Sequence, residues 1–192
     1  YDQLTELVER FYQRFANDEP DWDKIDIIHA WGGSESGAGV YYNIAQAMGR
    51  DHRTLFDARE TFPDKEDPFD ACCGELLEEE SITSLYDAIF IDEAQDFGPN
   101  FFNLCLEALD DNQRLVWAYD EAQSLSSLTA PSPTNIFGTD ENGEPALDLR
   151  GSYARGVQKS HIMRQAYRSP RSVLMAGHAL GMGLKADDGP VQ

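Results

Sequence analysis

Ala88-Ile89-Phe90-Ile91-Asp92-Glu93 is the stretch on which the fold turns. An uninterrupted apolar run rich in β-branched and aromatic residues reads as a strand of a parallel sheet, buried on both faces. It breaks off in two carboxylates. Past Pro99, a residue that suits the first turn of a helix, the spacing predicts a helix from about Asn100 to Leu109. A second buried strand is expected at Leu115-Val116-Trp117-Ala118-Tyr119, and it too ends in acids, Asp120-Glu121. Strand, helix and strand at this spacing make a parallel βαβ unit. Both acidic pairs then fall at the carboxyl ends of strands, the edge where open α/β sheets bind ligands.

Upstream, Leu4, Leu7, Val8, Phe11, Tyr12 and Phe15 recur at steps of three and four, the one-sided stripe of an amphipathic helix. Ile25-Asp26-Ile27-Ile28 reads as a short strand running into His29-Ala30-Trp31 and the glycine-rich stretch Gly32 to Gly39. A helix is expected from Val40 to Met48, a polar irregular stretch from Asp51 to Asp70, and a further helix from Phe69 to about Glu80. Downstream, residues 124–158 read as an exposed insertion with a hairpin around Glu141-Asn142-Gly143-Glu144. Ser160 to Met163 is expected to be a strand, and Val173 to Leu180 a helix following Pro170.

The chain of 192 residues is 41% hydrophobic, enough for one sizeable core and too short for two full motor domains. It has no basic-then-apolar leader and no apolar run near the ~18 residues that cross a bilayer, so the expected compartment is the cytoplasm, with no membrane partner. Cys72, Cys73 and Cys105 lack the paired spacing of a zinc site and read as reduced thiols filling the core. The net charge of −20, with 35 acidic residues against only 15 Lys and Arg, argues by itself against a grip on phosphate backbones. Dispersed along the chain, these acids suit either a cytoplasm at very high salt, where repulsion is screened, or simply a solvated acidic surface.

A carboxylate pair directly after a buried strand is the Walker B arrangement. Phosphoryl transfer needs Mg²⁺ held against phosphate oxygens and a water aimed in line at the γ-phosphate. Asp92 suits the first task, acting through the metal's water shell, and Glu93 the second, as proton acceptor or water-orienting group and second carboxylate near the metal. Acids at a solvated turn are the plain alternative.

The longer string Ile91-Asp92-Glu93-Ala94-Gln95-Asp96 resembles motif II of UvrD/Rep-type superfamily 1 DNA helicases, written DEAQD or DEYQD. Tyr119-Asp120-Glu121-Ala122-Gln123-Ser124-Leu125 resembles the family's motif III, and Gln165-Ala166-Tyr167-Arg168-Ser169 its motif IV, in the family's order. Ile28-His29-Ala30-Trp31-Gly32 is similar to the TxH-S-F/W segment that touches single-stranded DNA. The resemblance implies a three-layer α/β RecA-like P-loop NTPase domain, incomplete, with ATP and Mg²⁺ as cofactors. It also implies movement along single-stranded or partly duplex DNA, driven by ATP hydrolysis. Gln123 would sense the γ-phosphate and Asp120 would hold its loop. Arg168 would contact the γ-phosphate, or form a surface ion pair; Tyr167 would stack on adenine, or pack in a core. Trp31 would offer DNA a stacking face and His29 a backbone contact, or both would be core residues.

On this reading residues 1–192 are one partial motor domain: a motif Ib-like segment at about 25–39, a small helical insertion at about 40–84, and motifs II to IV at about 86–184. Tyr119 stands where the family usually has glycine and Ala166 where it has asparagine. GxxxxGK[ST] occurs nowhere in the chain; Gly32 to Gly37 has the glycine spacing but leads into Ala38-Gly39. Either the phosphate loop lies upstream of Tyr1 in a longer protein, the favoured expectation, or Gly32 to Gly39 is a degenerate loop. A second RecA-like domain is expected to complete the cleft, and the chain alone is expected to be inactive. Rival functions are a helicase-like ATPase switch without unwinding, in a defence or repair complex, and a non-catalytic acidic binding module.

Overall fold

A computed structural model describes residues 2–33, 37–78, 82–120, 133–163, 172–173 and 175–177. They fall into two units, one built from 1–92 and 97–118, the other from 93–96 and 119–192.

The first unit is a mixed α/β structure around a small parallel sheet. Strand β1 (Tyr86–Ile91) pairs with β2 (Leu109–Trp117), Ile89 opposite Leu115, Phe90 opposite Val116 and Ile91 opposite Trp117. Between Tyr86 and Ala88 the register jumps, and the surplus residues of β2 turn through Gln113 at φ 47°. The helices are α1 (Asp2–Ala16), α2 (Val40–Ala47), α3 (Leu55–Thr61), α4 (Pro68–Leu77) and α5 (Pro99–Glu107). Of these, α5 is the crossover between the strands, as its position after Pro99 predicts. It buries Phe101, Phe102, Leu104 and Cys105 against α4, which buries Phe69, Cys72, Cys73 and Leu76. Phe102 meets Trp117 edge-on at 5.8 Å, which seats α5 on β2.

Several expectations change. Ile89 and Ile91 are buried, but Phe90 between them is 77% exposed and its partner Val116 is 52% exposed. Side chains alternate along a strand, so one face of the sheet is covered and the other, contrary to expectation, is open. Ile25 to Ile28 form no strand; the nearest pairing is an isolated bridge between His29 and Gly39. Their β-branched side chains instead line a shallow groove with Thr5 and Trp22. The polar stretch after Asp51 contains α3, held by a capping box in which Thr54 accepts from the Asp57 amide and Asp57 accepts from the Thr54 amide. The three cysteines are free and buried, and burial pushes the Cys72 thiol up to about 11 and that of Cys105 to about 12.

In the second unit, Ala94–Asp96 is a 3₁₀ turn and α6 (Pro133–Phe137) is a short helix. The expected hairpin is present as a tight turn: Asp140 accepts from the Asn142 and Glu144 amides, and Thr139 bridges Pro145 antiparallel. Ser160 to Met163 is not a strand; Ile162 and Met163 are exposed, and among the described residues no strand pairs with them. Of the helix expected from Val173 to Leu180, residues 173 and 175–177 are helical and the rest lies outside the described residues. Among the described residues no helix is long and apolar enough to cross a membrane.

Candidate functional site

Asp92 follows the last residue of β1 and is exposed. The strand end that carries it is fixed by backbone pairing: the Ala118 amide donates to the Ile91 carbonyl at 2.9 Å. The carboxylate therefore stands at the carboxyl end of a parallel strand, as the sequence predicts.

Glu93, the next residue, belongs to the second unit and takes φ 51°, the left-handed region that a non-glycine residue enters at a cost of about 1–2 kcal/mol. The turn closes behind it, with the Asp96 amide donating to the Glu93 carbonyl at 3.1 Å. Within the same unit, Gln95 donates from Nε2 to Glu93 Oε2 at 2.7 Å and accepts at Oε1 from the Asp120 amide at 3.0 Å. One side-chain amide thus joins the second carboxylate of motif II to the first acid of motif III. Gln95 stands in the motif string, but its bridging role was not legible there; a contact across 25 positions leaves no local pattern.

Gln123, Tyr167 and Arg168 lie outside the described residues. His29 is exposed. Trp31 is half-buried; its ring stacks on Phe69 at 4.8 Å and its Nε1 donates to the Arg53 carbonyl at 2.8 Å. Arg53 is the hub of that corner: its amide donates to the Tyr41 hydroxyl at 3.1 Å, and its guanidinium grips Glu75 through Nε at 2.7 Å and Nη2 at 2.6 Å. That fork holds the Glu75 carboxyl below the usual carboxylate range, while burial pushes the Tyr41 hydroxyl up to about 12.

The glycine-rich loop is closed by pairing between Gly33 and Gly37, in both directions at 2.9 Å. Gly32 takes φ 71°, and a Cβ there would come within 2.5 Å of the Gly39 amide nitrogen, so glycine is required. The amides of Val40, Tyr41 and Tyr42, which a phosphate cradle would need free, donate instead to the carbonyls of His29, Ala30 and Trp31.

Among the described residues no group of His, Cys, Asp and Glu could cage a metal ion alone. Asp92 suits Mg²⁺ nonetheless, because that ion is commonly held by one or two carboxylates and takes its other ligands from phosphates and water. The chain matches no protein-family model, no curated protein and no solved structure.

Proposed function

We propose that this chain is part of the ATP-hydrolysing motor of a UvrD/Rep-type superfamily 1 DNA helicase or translocase. The observation that carries the reading is the consecutive acid pair Asp92-Glu93 at the carboxyl end of β1, which pairs in parallel with the strand leading to Asp120. Two features support it further. Glu93 has a strained backbone, and such strain persists where the surroundings demand it, often at reacting groups. Gln95 donates to the Glu93 carboxylate at Oε2, which restrains the side chain.

In this reading Asp92 would hold Mg²⁺, which when bound would supply charge neutralisation at the phosphates. Glu93 takes the proton of the attacking water. Gln95 fixes Glu93 and reaches the Asp120 amide, the start of the segment leading to Gln123. Arg168 adds positive charge at the γ-phosphate, and Tyr167 stacks on adenine. Engagement of the α2 amides by backbone carbonyls supports placing the phosphate loop outside Gly32 to Gly39, in another segment of the full-length protein. The three-layer RecA-like fold, the second motor domain and the DNA partner, met by His29 and Trp31, belong to the same proposal.

The test is DNA-stimulated ATP hydrolysis by the full-length protein at high salt, beside this chain alone and a Glu93→Gln variant. Turnover by the full-length protein, with both others dead, is the expected result. ATP turnover without strand separation would move the assignment to a nucleotide-dependent switch, and no turnover at all would leave an acidic binding module.

A further inference from the structure

Helix α5 begins at Pro99 with Gly98 as its N-cap, a residue with no side chain to offer the unpaired amides of the first turn. The missing acceptor comes from another helix. Asp70, in the first turn of α4, accepts the Phe101 amide at Oδ1 (3.1 Å) and the Asn100 side-chain amide at Oδ2 (3.0 Å), while its carbonyl also accepts from Asn100 (3.2 Å). Gly98 is glycine for a steric reason, since a Cβ there would collide with the Asp70 carboxylate. Its φ of −82° is open to any residue, so backbone freedom is not what glycine supplies here. Phe97, just before the cap, is gripped as well, its ring 4.6 Å from Phe101 and 6.3 Å from Phe69.

We propose that Asp70 is a positioning residue for the Asp92-Glu93 pair, acting by clamping the start of α5. The proposal rests on reading that pair as the hydrolytic carboxylates. Residues Glu93 to Asp96 are joined covalently to the first unit at Asp92 and at Phe97. The Asp92 end is held by the sheet, the Phe97 end by the rings and by Asp70. A short loop with both ends fixed has few conformations, and releasing one end multiplies them. Holding Glu93 at φ 51° against its intrinsic preference needs such over-determination. The effect of Asp70 passes through the backbone of residues 97–101. It is also held against a desolvation cost, since burial pushes its carboxyl above the ordinary range despite the hydrogen bonds it accepts.

Three variants of the full-length protein test this. Asp70→Ala removes the cap. Gly98→Ser crowds Asp70. The pair together, Asp70→Ala with Gly98→Ser, places a local capping hydroxyl in the space Asp70 vacates. We expect Asp70→Ala to lower kcat roughly tenfold to a hundredfold, the scale of a small misplacement, and to raise the Mg²⁺ concentration that gives half the maximal rate. KM for ATP should stay within about twofold, as when an interaction made only in the transition state is lost. Gly98→Ser alone should also lose activity, and the pair should recover most of it. Asp70→Asn, which keeps an acceptor for the Phe101 amide, is the milder probe if Asp70→Ala does not fold; it should show the same changes in smaller measure. A lower melting temperature with kcat per folded molecule and Mg²⁺ dependence unchanged would reduce Asp70 to an ordinary cap and overturn the proposal. If the unmutated protein hydrolyses no ATP, the hydrolytic reading fails by itself. Amide exchange then judges the clamp: faster exchange at residues 93–98 with β1 unchanged supports it, and unchanged exchange overturns it.

Discussion

Around Phe69 the rings of Trp31, Tyr41, Phe97 and Phe101 close in at 4.8 to 6.3 Å, and a forked ion pair and the Arg53 carbonyl, accepting from Trp31, hold the margin. Asp92, Glu93 and Asp120, in contrast, are exposed residues, and the Gln95 side chain bonds both Glu93 and the Asp120 amide. One region has close packing; the other has exposed acids and thin packing. Outside the clamp proposed for Asp70, stability and chemistry are therefore expected to reside in different residues, and mutations should separate them.

The largest separation is expected at Glu93. Glu93→Gln keeps the size of the side chain and an acceptor for Gln95 but removes the proposed base. Turnover by the full-length protein should fall about 10²–10⁴-fold, the usual worth of a positioned acid or base, with the melting temperature unmoved. A matching loss of stability would show that the acid loop is part of the framework and erase the contrast.

Phe102→Ala should do the converse. Phe102 is 0% exposed and packs edge-on against Trp117, so truncation leaves a cavity where α5 meets the sheet. Urea unfolding should show a loss of about 3–5 kcal/mol, with kcat per folded molecule changed little.

The same contrast explains what could be read in advance. The strand-helix-strand unit was legible because apolar runs, Pro99 and the terminal acids are local signals. An apolar run records hydrophobicity, however, not whether a neighbour is present to cover it, and so Phe90 and Val116 were expected to be buried when they are open. Ile25 to Ile28 failed as a strand for a related reason: β-propensity expresses fit to a sheet, and among the described residues no strand pairs with that segment. The helix α3 had a readable start in Thr54 and Asp57, masked by the polar composition around it. Asp92 and Glu93 were readable as candidates because a motif is contiguous. The Gln95 bridge and the contacts of Asp70 with Asn100 and Phe101 were not, because each spans 25 or more positions that only folding brings together.

A smaller effect is expected at the Arg53-Glu75 fork. The guanidinium holds the Glu75 carboxyl below its ordinary range, so the ionised carboxylate favours the folded state. The sign follows: the contribution is complete above the ordinary carboxylate range and is lost as pH falls through the lowered folded value. Asp70 works in the opposite sense, because its raised carboxyl favours folding below the ordinary range and loses that advantage as pH rises. Only the difference between the protein and a Glu75→Gln variant isolates the fork. Melting curves from about pH 6 down to about pH 3 should show a steeper acid loss in the unmutated protein. With the Glu75 side chain 42% exposed, solvent screening keeps the difference under about 1 kcal/mol.

The smallest effect should come from Phe90, and it sharpens the comparison most because the residue type is that of Phe102. Phe90 lies one residue from buried Ile89 and Ile91, yet it is 77% exposed and faces the same way as exposed Val116. Phe90→Ser should change the unfolding free energy of this chain by no more than about 0.5 kcal/mol, against the several expected for Phe102→Ala. It should also lower any tendency to associate through the open face, which sedimentation over a range of concentrations would detect. A loss at Phe90 close to that at Phe102 would mean that the open face is covered in solution, and the division of the sheet into a packed side and a bare side would fall.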